Sequence, residues 1–325
     1  MFRYIGKRII YLIPIIIGVV FIVFTLLYFA PGDPAYMALG DHASEEDYEQ
    51  YREEIGTNGT YLERLTRYYA GLLHGDLGKS YMTRKPVADE LSYRFTRTFI
   101  LATCSFAVGA VLGILMGIIS AVRQYSAFDW FSTVFSLIGI STPTFATGLF
   151  FIVVLAVKLG WFPASGWGGW DIHLVLPVVT LGFASIGMIM RATRSSMLDV
   201  LKQDYITTAK AKGQTNMSVI FKHALRNAMI PIITMCSLQY INLLSGSYIA
   251  ESIFAIAGAG SYMVSALNKR NYAAVLGTVI VLAVIAAVIN LLTDLLYTFV
   301  DPHLRTEQKR AKKSGQPSGE EGQQA

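Results

Sequence analysis

Six separate runs of mostly apolar residues, near positions 9–28, 98–122, 131–159, 172–190, 229–250 and 273–300, constrain this 325-residue chain more than any other feature. A helix needs about 20 such residues to cross the hydrocarbon core, and inside lipid it must satisfy every backbone N–H and C=O within itself. The expectation is an all-α integral membrane protein with six transmembrane helices. Composition agrees: only 15% of residues are charged, against about a quarter in soluble domains. The first run is longer than the roughly 7–15 residues of a secretory signal core, and Pro31 follows Ala30 with no small-x-small site. It is read as a retained span. Cys104 and Cys236 each fall within a span, as packing residues and not as a disulfide or metal framework.

Orientation follows from Lys and Arg near the spans. Arg3, Lys7 and Arg8 precede the first. Arg191, Arg194, Lys202, Lys210, Lys212, Lys222 and Arg226 lie between the fourth and fifth, against Asp199 and Asp204. Arg305, Lys309, Arg310, Lys312 and Lys313 follow the sixth, whereas the segment after the first is acidic on balance. Both termini and the basic loop are therefore expected in the cytoplasm. The net charge of +5 is topological, and no nucleic-acid partner is implied. This divides the chain into a cytoplasmic N-terminus with the first span (1–30), an extracytoplasmic segment (31–97), a five-helix core (98–300) containing a cytoplasmic loop (191–228), and a polar, disordered cytoplasmic tail (301–325).

The 31–97 segment is too long to be structureless. Ser44 with Asp47, and Thr60 with Glu63, have capping-pair spacing, and Leu62, Leu65, Tyr69 and Leu72 share a helical face, so a small helical insertion is expected. Gly109, Gly113 and Gly117 recur every four residues, which lets helices approach closely in lipid. Their contact is either with a partner subunit or within this chain. Pro143, Pro177 and Pro231 mark kinks. Trp161, Trp167 and Trp170, in the turn after the third span, suit either the headgroup level or an external partner.

Catalytic signatures are missing: there is no phosphate-binding Gly-rich loop, His-Glu-x-x-His, paired-Cys motif or Gly-x-Ser-x-Gly elbow. Ionisable residues near the spans reduce to Lys158 and Glu251 at outer ends and Asp294 near an inner end. A self-sufficient ion-coupled carrier or channel is disfavoured, because such carriers place ionisable groups at depth. The chain is expected to be no enzyme, and if it transports a solute, its energy source is expected on another polypeptide.

The basic loop is the place where docking of that partner is expected; the alternative is a bare interfacial helix whose charge only sets orientation. Asp204–Ala211 reads as a short helix closed by Gly213 in the manner of a C-cap, with Ala209 and Ala211 leaving a narrow surface. A second helix follows, with Met217, Val219, Ile220 and Ala224 toward protein or lipid and Lys222, His223 and Arg226 toward water or partner.

These residues resemble a known family. Tyr205 to Gly213, followed by "HALRNAMIP", is similar to the coupling-loop motif of binding-protein-dependent ATP-binding cassette (ABC) importers, specifically permease subunits of the dipeptide/oligopeptide/nickel group. "KRIIYLIPIIIGVVFIVFTLLYFAPGDPA", "GDLGKSYMTRKPVADELSYRFTRTFIL", "LGWFPASGW" and "DLLYTFVDPHLR" extend the likeness along the chain. Thr207-Thr208-Ala209 stands where the broader pattern has Glu-Ala-Ala, and Arg226 where it has Pro. Both departures are usual in this branch, and Thr207 is given no role. The resemblance implies a type I ABC importer permease fold in a bacterial or archaeal inner membrane. It implies half of a pathway for di- or oligopeptides, or alternatively for nickel or another small solute. The implied partners are a second homologous permease, two cytosolic ABC ATPases that carry the ATP and Mg, an extracytoplasmic binding protein and membrane lipid. No cofactor is expected on this chain. The residues implied for ATPase coupling are Tyr205, Thr208, Ala209, Lys210, Ala211, Lys212, Gly213, His223 and Arg226, while the substrate pathway is unassigned.

Overall fold

The computed structural model describes residues 2–300. The tail at 301–325 and the side chains of Arg3, Lys7 and Arg8 lie outside the described residues. Helix α1 (Phe2–Phe29) is followed by three shorter helices, α2 (Pro34–Leu39), α3 (Glu45–Glu54) and α4 (Tyr61–Leu73). The core then comprises α5 (Val87–Val122), α6 (Ala127–Ser141), α7 (Thr144–Phe151) and α8 (Val175–Leu201). Beyond it come α9 (Asp204–Ala211), α10 (Asn216–Ser218), α11 (Arg226–Gly246), α12 (Tyr248–Ile253), α13 (Ala259–Asn268) and α14 (Tyr272–Val300).

Among the described residues, four helices are long and apolar enough to cross a membrane, or five if α6 and α7 together make one bent span; Ile13–Phe29 is a shorter apolar helix. The single span expected at 131–159 is instead broken by 107° at Thr142–Pro143. Pro143 lacks the N–H to continue α6 and instead opens α7. Past Phe151 the chain widens into a π-helical stretch, Ile152–Lys158.

Both capping boxes form: Ser44 and Asp47 close the start of α3, and Thr60 and Glu63 that of α4. The buried face of α4 differs from the expected one. Leu62 is 67% exposed, and Leu65 is buried with Tyr61 and Tyr68 against Phe24 of α1. Helix α4 runs antiparallel along α1, for the Tyr61 hydroxyl meets Thr25 at 2.7 Å and the Tyr69 hydroxyl donates to the Ile17 carbonyl at 2.8 Å.

The glycine stripe packs within the chain. A Cβ on Gly109, Gly113 or Gly117 would come within 2.6–2.9 Å of Ser185, Ile189 or Thr193 of α8. Glycine thus permits the close parallel packing of α5 on α8. The apolar run at 273–300 is not uniformly a lipid-facing span, since residues 271–278 are all buried. Here α14 forms a core with Phe24, Leu27, Leu65, Val87 and Tyr262, the pattern of a helix enclosed on all faces.

Candidate functional site

Helix α9 stands at the end of the bundle where α5 and α8 finish. Two of its residues point inward: Ile206 is 1% exposed and Ala209 7%. They pack with Ile118 and Ala121 of α5, Met197 of α8, and Val219, Ala224 and Ala228. Ala209 is therefore a foothold on this chain's own core. Tyr205, Thr208, Lys210, Ala211, Lys212 and Gly213 are exposed.

The helix ends as its sequence suggests. Gly213 adopts φ +75°, the Gly213 N–H donates to Lys210 and the Gln214 N–H to Ala209, which is the Schellman arrangement. The left-handed position is why glycine stands there. From Gly213 the chain turns back. Thr215 accepts from the Ser218 N–H at 3.3 Å, and α10 continues through a π-helical stretch, Val219–Leu225, into α11. The expected second loop helix is thus continuous with the next span. Val219 and Ala224 are buried as expected, but Met217 is 64% exposed because it sits in the first turn, beyond the core.

Polar contacts brace this hairpin. The His223 ring Nε2 lies 2.7 Å from the Gln214 amide oxygen, and Asn227 donates to the Tyr205 hydroxyl at 3.2 Å and to the His223 carbonyl at 2.8 Å. Lys222 and Arg226 are exposed beside it.

An ion pair missed by sequence reasoning fastens the base of the loop. The Arg194 Nε donates to Asp129 Oδ1 at 2.7 Å and its terminal nitrogen to Oδ2 at 2.9 Å, joining α8 to the first turn of α6. Ser120 of α5 donates to the same carboxylate, as does the Tyr125 N–H. Arg194 read as a topological charge, and only the fold brings Asp129 to it.

The opposite end carries buried carboxylates. Glu251, expected at an outer helix end, is 0% exposed. Its Oε1 accepts from the hydroxyls of Thr98 (2.6 Å) and Ser247 (2.8 Å), and its Oε2 from the Ser261 N–H (2.7 Å). Thr98 in turn accepts from the Ala259 N–H at 2.8 Å. These are first-turn N–H groups of α13, which a side-chain cap ordinarily satisfies. The cap position holds Gly258, where a Cβ would come within 2.4 Å of the Glu251 carboxyl carbon. The capping carboxylate therefore arrives from α12, and its charge also suits a helix N-terminus. Ala255, between the two helices, adopts φ +52°, a conformation costing a non-glycine residue about 1–2 kcal/mol.

Next to this knot, the Tyr262 hydroxyl donates to Glu90 Oε2 at 2.5 Å. Burial, and then the Glu90 carboxylate, push the Tyr262 phenol well above its ordinary range, which keeps it the donor. Asn271 accepts from the Tyr81 N–H at 3.0 Å and donates to Ser80 at 2.8 Å, tying the 80–86 loop to the start of α14. In the turn after the π-helical stretch, Trp161 and Trp170 are 61% and 75% exposed, while Trp167 packs inward beneath Arg97.

Comparison with known proteins adds to this geometry. Residues 113–306 match the family described as binding-protein-dependent transport system inner membrane component, and residues 1–102 match its N-terminal region model. The chain is 37% identical over 305 residues to a glutathione transport system permease protein of Pectobacterium atrosepticum, covering 94% of this chain and 99% of that one. It is 36% identical over 332 residues to a dipeptide transport system permease protein of Alkalihalophilus pseudofirmus, covering 94% and 100%. Among solved structures, the MetNI methionine ABC transporter in an inward-facing conformation aligns with TM-score 0.53 at 19% identity, over 65% of this chain and 96% of that one. An amino acid ABC transporter solved with histidines aligns with TM-score 0.51 at 13% identity, over 70% and 96%. At these identities the structural likeness speaks for the fold.

Proposed function

This chain belongs to the family of inner membrane components of binding-protein-dependent transport systems, and from that membership we propose that it forms half of an ATP-driven import pathway for di- and oligopeptides. Relatives named for glutathione and dipeptide transport support a peptide cargo. The reading takes α1, α5, the bent α6–α7 pair, α8, α10 with α11, and α14 as six spans. It places both termini and α9 in the cytoplasm, with α2–α4 and α12–α13 outside. A second homologous permease completes the pathway, two cytosolic ATPases carry ATP and Mg, and an extracytoplasmic binding protein delivers the peptide.

The observation that carries the coupling role is the two-sided build of α9. Ile206 and Ala209 anchor it to α5, α8 and α11, while Tyr205, Thr208, Lys210, Ala211 and Lys212 stay exposed. A helix held this way transmits a push from an ATPase groove to the spans as a rigid lever. His223 and Arg226 sit at the base of the lever, where His223 fixes the turn through Gln214. Proteoliposomes containing this chain, its partner permease and the ATPases should import peptide from the loaded binding protein only with ATP inside. Uptake by the isolated chain under a proton or sodium gradient would overturn the reading.

A further inference from the structure

A cavity of about 290 Å³ opens beside the Glu251 knot, between α5, α13 and the 80–83 loop, and Glu90, Arg94, Ser261, Tyr262, Lys269 and Asn271 supply its polar lining. Glu90 and Arg94 are one helical turn apart, a spacing that favours an ion pair. They form none, because Tyr262 stands between them: its hydroxyl goes to Glu90, and the Arg94 guanidinium lies over its ring, 4.5 Å from the centroid. Glu90 is 6% exposed, and among the described residues no hydrogen bond reaches its second oxygen. The Arg94 Nε is buried without a hydrogen-bond partner, and among the described residues no carboxylate pairs with this arginine. A buried carboxylate and a half-buried guanidinium are thus kept apart and left open to one space, each without a charged partner among the described residues, an arrangement that something bearing both complementary charges would complete. Ala257, Ala266 and Met82 provide an apolar stretch of the same lining.

We propose that this cavity binds a short zwitterionic peptide, with its α-ammonium at Glu90 and its terminal carboxylate at Arg94 and Lys269. The identity of the ligand rests on the peptide-import reading above. Occupancy is also felt by the helix knot, since Ser261 lines the cavity and its N–H is held by Glu251. The site therefore lies where an arriving peptide reports to the α12–α13 segment.

The test uses the whole transporter in lipid nanodiscs without binding protein, and measures equilibrium dialysis of radiolabelled Ala-Phe against N-acetyl-Ala-Phe and Ala-Phe amide as competitors. Wild type should bind Ala-Phe and discriminate against both blocked forms. Losing a charged hydrogen-bond partner should weaken Ala-Phe binding at least about tenfold in Glu90→Gln and Arg94→Gln. Glu90→Gln should lose discrimination against the acetylated peptide alone, Arg94→Gln against the amide alone, and Arg94→Lys should restore part of the latter. A merely structural role would weaken all three ligands equally. That outcome, unchanged affinity in the variants, or no binding by wild type would each overturn the proposal. ATP-driven peptide uptake by the same wild-type complex, reconstituted in proteoliposomes with its loaded binding protein, would show that the importer reading stands even where the cavity proposal fails.

Discussion

At the α9 end, Tyr205, Thr208, Lys210, Ala211 and Lys212 are exposed, whereas at the α13 end Glu251, Glu90 and Asn271 are 0%, 6% and 3% exposed and bonded across elements. The two ends thus face opposite demands. The α9 segment, proposed to dock on a partner, keeps polar side chains at the surface, and its own stability comes from two inward residues and a turn. The α13 end instead satisfies Glu251 and Asn271 within the fold, and a mismatch among such buried groups is costly because no water repairs it.

The sharpest way to break this contrast is at the buried end. Glu251→Ala removes the acceptor of two hydroxyls and one backbone N–H in a fully buried site. Unsatisfied buried groups cost about 1–3 kcal/mol each, so the loss should reach about 3 kcal/mol or more. It should appear as a large fall in the thermal midpoint of the detergent-solubilised protein, with protease cutting concentrated at 254–258. Glu251→Gln keeps one acceptor oxygen and should fall less. Equal stability of Glu251→Ala and wild type would mean that the knot contributes little.

The α9 end separates an inward anchor from an exposed face, proposed as the docking surface. Ala209→Trp drives a large ring into the core formed with Ile118, Met197 and Ala228. Overpacking of this kind costs about 1–3 kcal/mol, visible as a lower thermal midpoint. Ala211→Trp lies on the exposed face and should leave stability within about 0.5 kcal/mol of wild type. It should nevertheless reduce ATP-driven uptake at least tenfold and release the ATPases during purification. Intact uptake in Ala211→Trp would remove α9 as the docking element.

This contrast also explains what was legible in the sequence. Apolar runs, capping boxes and Gly213 act through neighbours in the chain, so their spacing reveals them. The helix and turn of the α9 end were readable for that reason, except that the inward turn of Ala209 depends on α5 and α8. The α13 end was opaque, because Thr98 and Glu251 meet 153 residues apart and Glu90 and Tyr262 meet 172 apart. Gly258 was a clue only in retrospect: a glycine at a helix start leaves the cap to a distant side chain. The break at Pro143 was half visible, since a proline marks a kink but its 107° depends on where α7 finds its packing.

The smallest expected effect tests whether the bracing of α9 matters by itself. Asn227 has two acceptors, the Tyr205 hydroxyl at 3.2 Å and the His223 carbonyl at 2.8 Å. Tyr205→Phe removes only the longer contact, at an exposed position where water replaces it. A net hydrogen bond is worth about 0.5–1.5 kcal/mol, and this one belongs at the bottom of that range. Global stability should not move measurably. Amide hydrogen exchange at 205–211 should quicken about twofold, because the hydroxyl ties the first turn of α9 to the start of α11, while Ile206 and Ala209 still hold the helix down. Uptake should fall less than twofold. A loss as deep as that of Ala211→Trp would instead place the Tyr205 hydroxyl in the docking contact itself, and the division between anchor and surface would have to be redrawn through that side chain.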